Sequence, residues 1–191
     1  MGSGLDLMSG QFIFLLGGAR SGKSRWAEDW AAQQGGRVLF WATAQAFDED
    51  MRERIARHRQ SRLPHWATVE APLGAEAALR PHLMGGGYQT VLVDCLTLLA
   101  TNALLTLPEE ASQADSDRVI LAEVAELLAL QKDYPGLHWL VVSNEVGMGV
   151  VPPTTLGRHF QDSLGRANQA VAAAASQVKL LVAGLAWTLK P

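Results

Sequence analysis

The feature that most restricts this chain is the stretch "GGARSGKS", in which Gly17, Gly22, Lys23 and Ser24 satisfy the pattern G-x-x-x-x-G-K-[ST]. Such a loop works between a buried strand and a helix, because its backbone N–H groups must converge on phosphate oxygens while a helix N-terminus faces the same anion. The flanks comply: "QFIFLLGG" is an unbroken apolar run ending in glycine, and residues 23–34 read as a helix. Gly17, Gly18, Ala19, Arg20, Ser21 and Gly22 are expected to wrap a nucleotide's phosphates. Lys23 is expected to reach the β and γ phosphates as a catalytic cation, and Ser24 to ligate Mg2+.

The same alternation runs through the rest of the sequence. "VLFWAT" (38–43), "TVLVDCL" (90–96) and "HWLVVSNE" (138–145) read as buried strands, and residues 48–60, 116–130 and 155–176 as helices. The expected class is α/β: a P-loop NTPase with a RecA-like, mostly parallel sheet flanked by helices and joined by right-handed crossovers. "VKLLVAGLAWTLK" reads differently, as a C-terminal hairpin that adds one antiparallel strand at the sheet edge. Asp94 closes the run "VLVD", so it is expected at the carboxyl edge beside the loop, as a second magnesium ligand. Asn144 and Glu145 end the next strand at the same edge. "GGGY", residues 107–116 and "VVPPTT" read as loops.

With 191 residues and no linker or repeat, the expectation is one catalytic domain over residues 11–191. Residues 1–10 are left outside it, as a disordered segment or an expression remnant with Met8 as the original start. The net charge of −3 gives no general attraction to nucleic acid, and no apolar run reaches the roughly 18 residues needed to insert in a membrane. The single cysteine, Cys95, cannot form an internal disulfide and reads as a small buried apolar residue, which with the lack of a signal sequence points to the cytoplasm. His65 and Trp66 read as packing, no Cys/His cluster suggests zinc, and Arg158, His159, Arg166 and Asn168 read as the solvated face of the last helix.

A phosphate loop does not name an acceptor. In "FDEDMRERIARHRQSRLPHW", Met51, Ile55 and His58 fall on one helical face, with Arg54 and Arg62 one turn to either side of the histidine. Spacing alone leaves two readings open. One is a core or solvated histidine. The other is a nucleophile: a neutral imidazole that attacks an α phosphate to form a phosphoramidate, with neighbouring guanidinium groups disfavouring imidazolium.

Five stretches together carry a family resemblance: "GGARSGKSRWAE", "ATAQAFDEDMRERIARHR", "HWATVEAP", "VLVDCLTLLATN" and "VVSNEVGMGVVPPTTLGRHFQDSLGRANQAVAAAASQV". In this order, over residues 12–190, the chain resembles the bifunctional adenosylcobinamide kinase / adenosylcobinamide-phosphate guanylyltransferase family of cobalamin biosynthesis. The resemblance implies a kinase step on a corrinoid substrate with ATP or GTP, then GMP transfer from GTP through a guanylylated histidine, for which His58 is the matching position. It implies guanosine contacts at Thr43, Ala44 and Gln45, at Arg59, Gln60, Ser61 and Arg62 after the histidine, and at Glu70. It also implies a homotrimer. Two positions depart from the family pattern: "TAQ" in place of "TSQ", and Asp94 where a glutamate is common. Some of the six tryptophans are expected at a subunit interface or a corrinoid platform. The rival reading is a P-loop ATPase or nucleotide switch acting on a macromolecular partner, which has no need of a histidine in an arginine helix.

Overall fold

The computed structural model describes residues 10–46, 49, 52, 53, 56 and 63–191. In chain order the elements are β1 (Phe12–Gly17), α1 (Lys23–Gln34), β2 (Arg37–Ala42), β3 (Ala67–Glu70), α2 (Ala75–Met84), β4 (Tyr88–Asp94), α3 (Leu96–Leu104), α4 (Gln113–Asp133), β5 (His138–Val142), α5 (Thr155–Ala174), β6 (Gln177–Val182) and β7 (Leu185–Lys190). They build one seven-stranded sheet in the order β3-β2-β4-β5-β1-β6-β7. β1 to β6 pair in parallel, and β7 returns antiparallel on β6, as expected for the hairpin. The α/β, RecA-like expectation holds: β5 runs between the phosphate-loop strand β1 and the Asp94 strand β4.

Strand parity decides which side chains meet which helices. Ile13, Leu15, Val38, Phe40, Leu92, Leu140 and Val142 pack with Ala27 and Ala31 of α1 on one face. Phe12, Phe14, Leu39, Trp41, Val91, Val93, Trp139 and Val141 pack on the other face, with residues of α2 to α5. Strands buried on both faces have no polar side to show, which is why they read as continuous apolar runs.

Several elements went unseen or misplaced in the sequence. In α3, Leu96, Thr97, Leu99, Ala100, Asn102, Ala103 and Leu104 are all buried, so no amphipathic period separates it from the strand before it. The expected strand 90–96 accordingly stops at Asp94. α2 carries Pro81 in its interior, which argues against a helix on propensity, and β3 is a four-residue edge strand. α4 starts at Gln113, ahead of the expected 116, because Ser112 and Asp115 form a capping box, with the Ser112 hydroxyl accepting from Asp115 N–H at 3.2 Å. Of the expected helix 48–60, Glu49, Arg52, Glu53 and Ala56 are described and helical; Met51, Arg54, Ile55 and His58 lie outside the described residues.

The β6–β7 turn is two residues long, with Ala183 at φ +52° and Gly184 at φ +82°, the mirror-image turn that matches strand twist in a hairpin. Val182, Leu185 and Trp187 stand exposed on it.

Candidate active site

The phosphate loop leaves β1 at Gly17. A Cβ there would lie 2.4 Å from the Leu181 carbonyl oxygen and 2.7 Å from Ser21 Oγ, so the close approach of β6 requires glycine. Gly22, at φ +96°, caps α1, and Arg20 sits exposed at the tip with φ +57°. Lys23 is only 7% exposed; its Nζ donates to the carbonyls of Gly17 (2.8 Å) and Gly18 (2.7 Å) and to Ser21 Oγ (3.4 Å). The ammonium is thus folded onto the inner wall of the loop, beside the exposed Gly18, Ala19 and Arg20. α1 has no acidic residue in its first turn, so the positive end of its dipole is not neutralised by its own side chains. Ser24 is half-buried in that turn.

Asp94 ends β4 half-buried, on the same face as Gly17: Leu92 and Leu15 precede them by two residues, and both pack toward α1. Two strand spacings separate β4 from β1, roughly 10 Å. Among the described residues no three His, Cys, Asp or Glu side chains group to hold a metal. The Ser24 hydroxyl and the Asp94 carboxylate are oxygen donors, the class of ligand magnesium takes alongside phosphates and water. Next to Asp94, Cys95 contacts the α1-side core, and burial together with the Asp94 carboxylate pushes its thiol up to about 12.

Beneath this edge lies a belt of buried hydroxyl and amide side chains that sequence reading did not single out as a unit. Thr43 Oγ1 accepts from Cys95 N–H (2.9 Å) and donates to Cys95 C=O (2.8 Å), joining the ends of β2 and β4. Asn102 Nδ2 donates to the carbonyls of Thr43 (2.8 Å) and Pro72 (2.9 Å). Thr97 Oγ1 accepts from Asn144 N–H (2.7 Å) and lies 3.4 Å from Ser143 Oγ, which donates to Asn168 Oδ1 (2.7 Å). Asn168 Nδ2 donates to the Asn144 carbonyl (3.1 Å). Asn168 is therefore no solvated residue, being 6% exposed. The signal for it was its place on the strand-facing side of α5, four residues after Leu164 and one after Ala167, both fully buried.

The expected nucleotide-contacting positions divide along the edge. Gly17 to Ser24 and Asp94 are brought together by β1 and β4. Thr43, Ala44 and Gln45 follow β2, roughly 14 Å from β1 at three strand spacings, and Glu70 ends β3 one spacing beyond. Thr43 is fully buried with its hydroxyl engaged on Cys95, Ala44 and Gln45 are half-buried, and Glu70 is exposed. His58, Arg59, Gln60, Ser61 and Arg62 lie outside the described residues.

On α5, Arg166 pairs with Asp117 at 2.9 Å, and Arg158 donates to the carbonyls of Pro152 and Pro153. Trp66 stacks on Phe40, with ring centroids 6.5 Å apart. Trp41 and Trp139 are core residues and only Trp187, at 68%, is widely exposed. No helix among the described residues is long and apolar enough to cross a membrane.

Sequence comparison finds relatives over nearly the whole chain. The model of the family described as cobinamide kinase / cobinamide phosphate guanyltransferase matches residues 13–189. A Pseudomonas aeruginosa protein named bifunctional adenosylcobalamin biosynthesis protein CobP is 46% identical over 92% of this chain and 95% of its own length. An Escherichia coli protein named bifunctional adenosylcobalamin biosynthesis protein CobU is 39% identical over 93% of this chain and 99% of its own length. With a phosphate loop, an Asp94 strand end and near full-length similarity in one chain, the protein belongs to the cobinamide kinase / cobinamide phosphate guanyltransferase family.

Proposed function

We propose that this protein phosphorylates the aminopropanol hydroxyl of adenosylcobinamide and then transfers GMP from GTP to the new phosphate, giving adenosylcobinamide-GDP and pyrophosphate. The observation that carries this is the match of the bifunctional family over residues 13–189, on a chain whose phosphate loop has Lys23 at its inner wall. Residues 11–191 act as one catalytic domain in this reading.

In the kinase step, loop N–H groups from Gly18 to Ser24 and the N-terminus of α1 hold the triphosphate, and Lys23 moves from its own carbonyls to the β and γ oxygens. The acceptor hydroxyl oxygen attacks the γ phosphorus in line, the bond from that phosphorus to the β–γ bridging oxygen breaks to release the nucleoside diphosphate, and the hydroxyl proton passes to solvent. Ser24 and Asp94 would hold Mg2+, which neutralises charge on the phosphates when bound. In the transfer step, a His58 imidazole nitrogen attacks the α phosphorus of GTP, and the α–β bridging bond breaks to release pyrophosphate. An oxygen of the corrinoid phosphate then attacks the same phosphorus, and the P–N bond breaks to return neutral His58. The guanosine lies toward Ala44, Gln45 and Glu70, while the fully buried Thr43 holds the end of β2 on Cys95 beneath them, and Arg59, Gln60, Ser61 and Arg62, which follow His58 in the chain, supply further contacts. ATP or GTP serves the kinase step, and only GTP serves the second. The protein works in the cytoplasm as a homotrimer, and exposed Trp187 is offered to a neighbouring subunit or to the corrinoid.

The test is incubation with GTP labelled at the α phosphate. Acid-labile, base-stable label on the wild type, absent in His58→Ala, is the expected result. A wild type that takes no label would overturn the transfer step, and in a second assay with γ-labelled triphosphate, no label on cobinamide would overturn the kinase step.

A further inference from the structure

The end of β5 carries a side chain that neither reaction step employs. β5 lies between β1 and β4, so whatever stands at its carboxyl tip stands between the phosphate loop and Asp94. Parity places Asn144 on the α1 side: Leu140 and Val142 pack against α1 with Leu15 and Leu92, whereas Val141 and then Ser143 face the opposite helices, where Ser143 meets Asn168. Val142 is in register with both Leu15 of β1 and Asp94 of β4, so Asn144 lies one pleat beyond that row, at the rim.

The backbone around Asn144 is fixed from three directions. Its N–H donates to Thr97 Oγ1 (2.7 Å), its carbonyl accepts from Asn168 Nδ2 (3.1 Å), and the flanking Ser143 and Glu145 N–H groups donate to the carbonyls of Leu15 (2.9 Å) and Gly17 (3.1 Å). Ser143 Oγ, engaged by Asn168 and close to Thr97, locks the same segment from below. Two hydrogen bonds thus hold the half-buried Asn144 itself and three more hold its neighbours Ser143 and Glu145, while the Asn144 side-chain amide makes no hydrogen bond with a described residue. Holding a backbone this firmly beside a phosphate loop serves to aim a side chain.

We propose that the Asn144 side-chain amide donates to the terminal phosphate of a triphosphate seated on the loop, and that Asn168 is the positioning residue that holds Asn144 in place. This rests on the reading of the loop as a triphosphate site. A neutral amide fits such a contact, because it donates to anionic oxygens without adding a cation that would retain the diphosphate product as firmly.

The experiment compares equilibrium binding of the β,γ-imido analogue of GTP with binding of GDP, by calorimetry on the full chain. In Asn144→Ala the analogue is expected to weaken by about tenfold or more while GDP changes less than about twofold, the loss due to one hydrogen bond to a charged group. Asn168→Ala is expected to reduce the analogue-to-GDP preference in the same direction by a smaller factor, and to lower kcat for γ transfer more than it raises KM for the corrinoid. An unchanged preference in Asn144→Ala overturns the proposal, because that half-exposed position can be truncated without opening the core. If the wild type binds neither nucleotide, the loop reading falls and the Asn144 contact falls with it. If the wild type binds both with no preference for the analogue, the Asn144 contact alone fails.

Discussion

The backbone N–H of Gly184 donates a 2.9 Å hydrogen bond to the Ser21 carbonyl, so the turn of the C-terminal hairpin holds the phosphate loop. In a trans peptide the carbonyl and the following N–H point opposite ways; with Ser21 C=O held on the hairpin, the Gly22 N–H is turned away from it. The C-terminal end of the chain therefore helps to set the first functional motif.

Gly22→Ala tests that contact. Gly22 sits at φ +96°, and a Cβ there would come 3.3 Å from Gly184 Cα. A cost of about 1–3 kcal/mol is expected, seen as a Tm lowered by several degrees, with triphosphate affinity reduced by about tenfold or more. Gly18→Ala is the control: its Cβ would meet nothing within 4 Å, so its Tm should match the wild type.

Lys23→Met is expected to lower kcat for γ transfer by about 10²–10³-fold, since a buried cation aimed at developing phosphate charge is replaced by an apolar chain of similar length. Lys23→Arg should not restore it, because the planar guanidinium does not fit a site where one ammonium lies within 3.4 Å of three oxygens. Steady-state assays of γ transfer alongside circular dichroism distinguish lost chemistry from lost fold.

Cys95 should be nearly inert to iodoacetamide in the native protein. With the thiol pushed up to about 12 by burial and by the Asp94 carboxylate, the reactive thiolate at pH 8 is about 1,000-fold scarcer than in the unfolded chain. Alkylation followed by mass spectrometry, with and without denaturant, measures the ratio; comparable rates would contradict it.

His138 links stability to acid. Its Nδ1 accepts from Gln11 N–H at 3.0 Å, its ring meets the edge of Trp30 with centroids 5.3 Å apart, and burial lowers its pKa. The unfolded chain binds a proton at about 6.5 and the native protein resists it, so this contribution is complete above pH 6.5 and is lost as pH falls toward the native value. Its slope cannot exceed about 1.4 kcal/mol per pH unit. Between pH 7.5 and 5.5 the Tm of the wild type should fall more than that of His138→Asn, which keeps an acceptor and does not titrate.

Much of the fold was legible because its signals are local. The apolar runs of β1, β2, β4 and β5, the G-x-x-x-x-G-K-[ST] spacing and the "AGL" turn each declare themselves within a few residues. What was not legible depended on environment. α3 is buried almost all round and so carries no face, and α2 keeps its helix through Pro81 because tertiary contacts override propensity. Asn168 read as polar and hence solvated, whereas the fold buries it with Ser143 and Asn144 as partners.

By itself the sequence determined that this chain carries a phosphate loop between a strand and a helix, that an acidic strand end accompanies it, and which family it resembles. Only the tertiary structure decided that β5 separates those two strands, that Asn144 stands between the loop and Asp94, and that Gly184 reaches back to Ser21. The reason is physical. A motif is a spacing along one segment, fixed by short-range backbone geometry. The side chains sharing a sheet edge are set instead by strand order and pleat parity, which arise from the packing of segments far apart in the chain, as when Ser176 N–H meets Phe12 C=O across 164 positions.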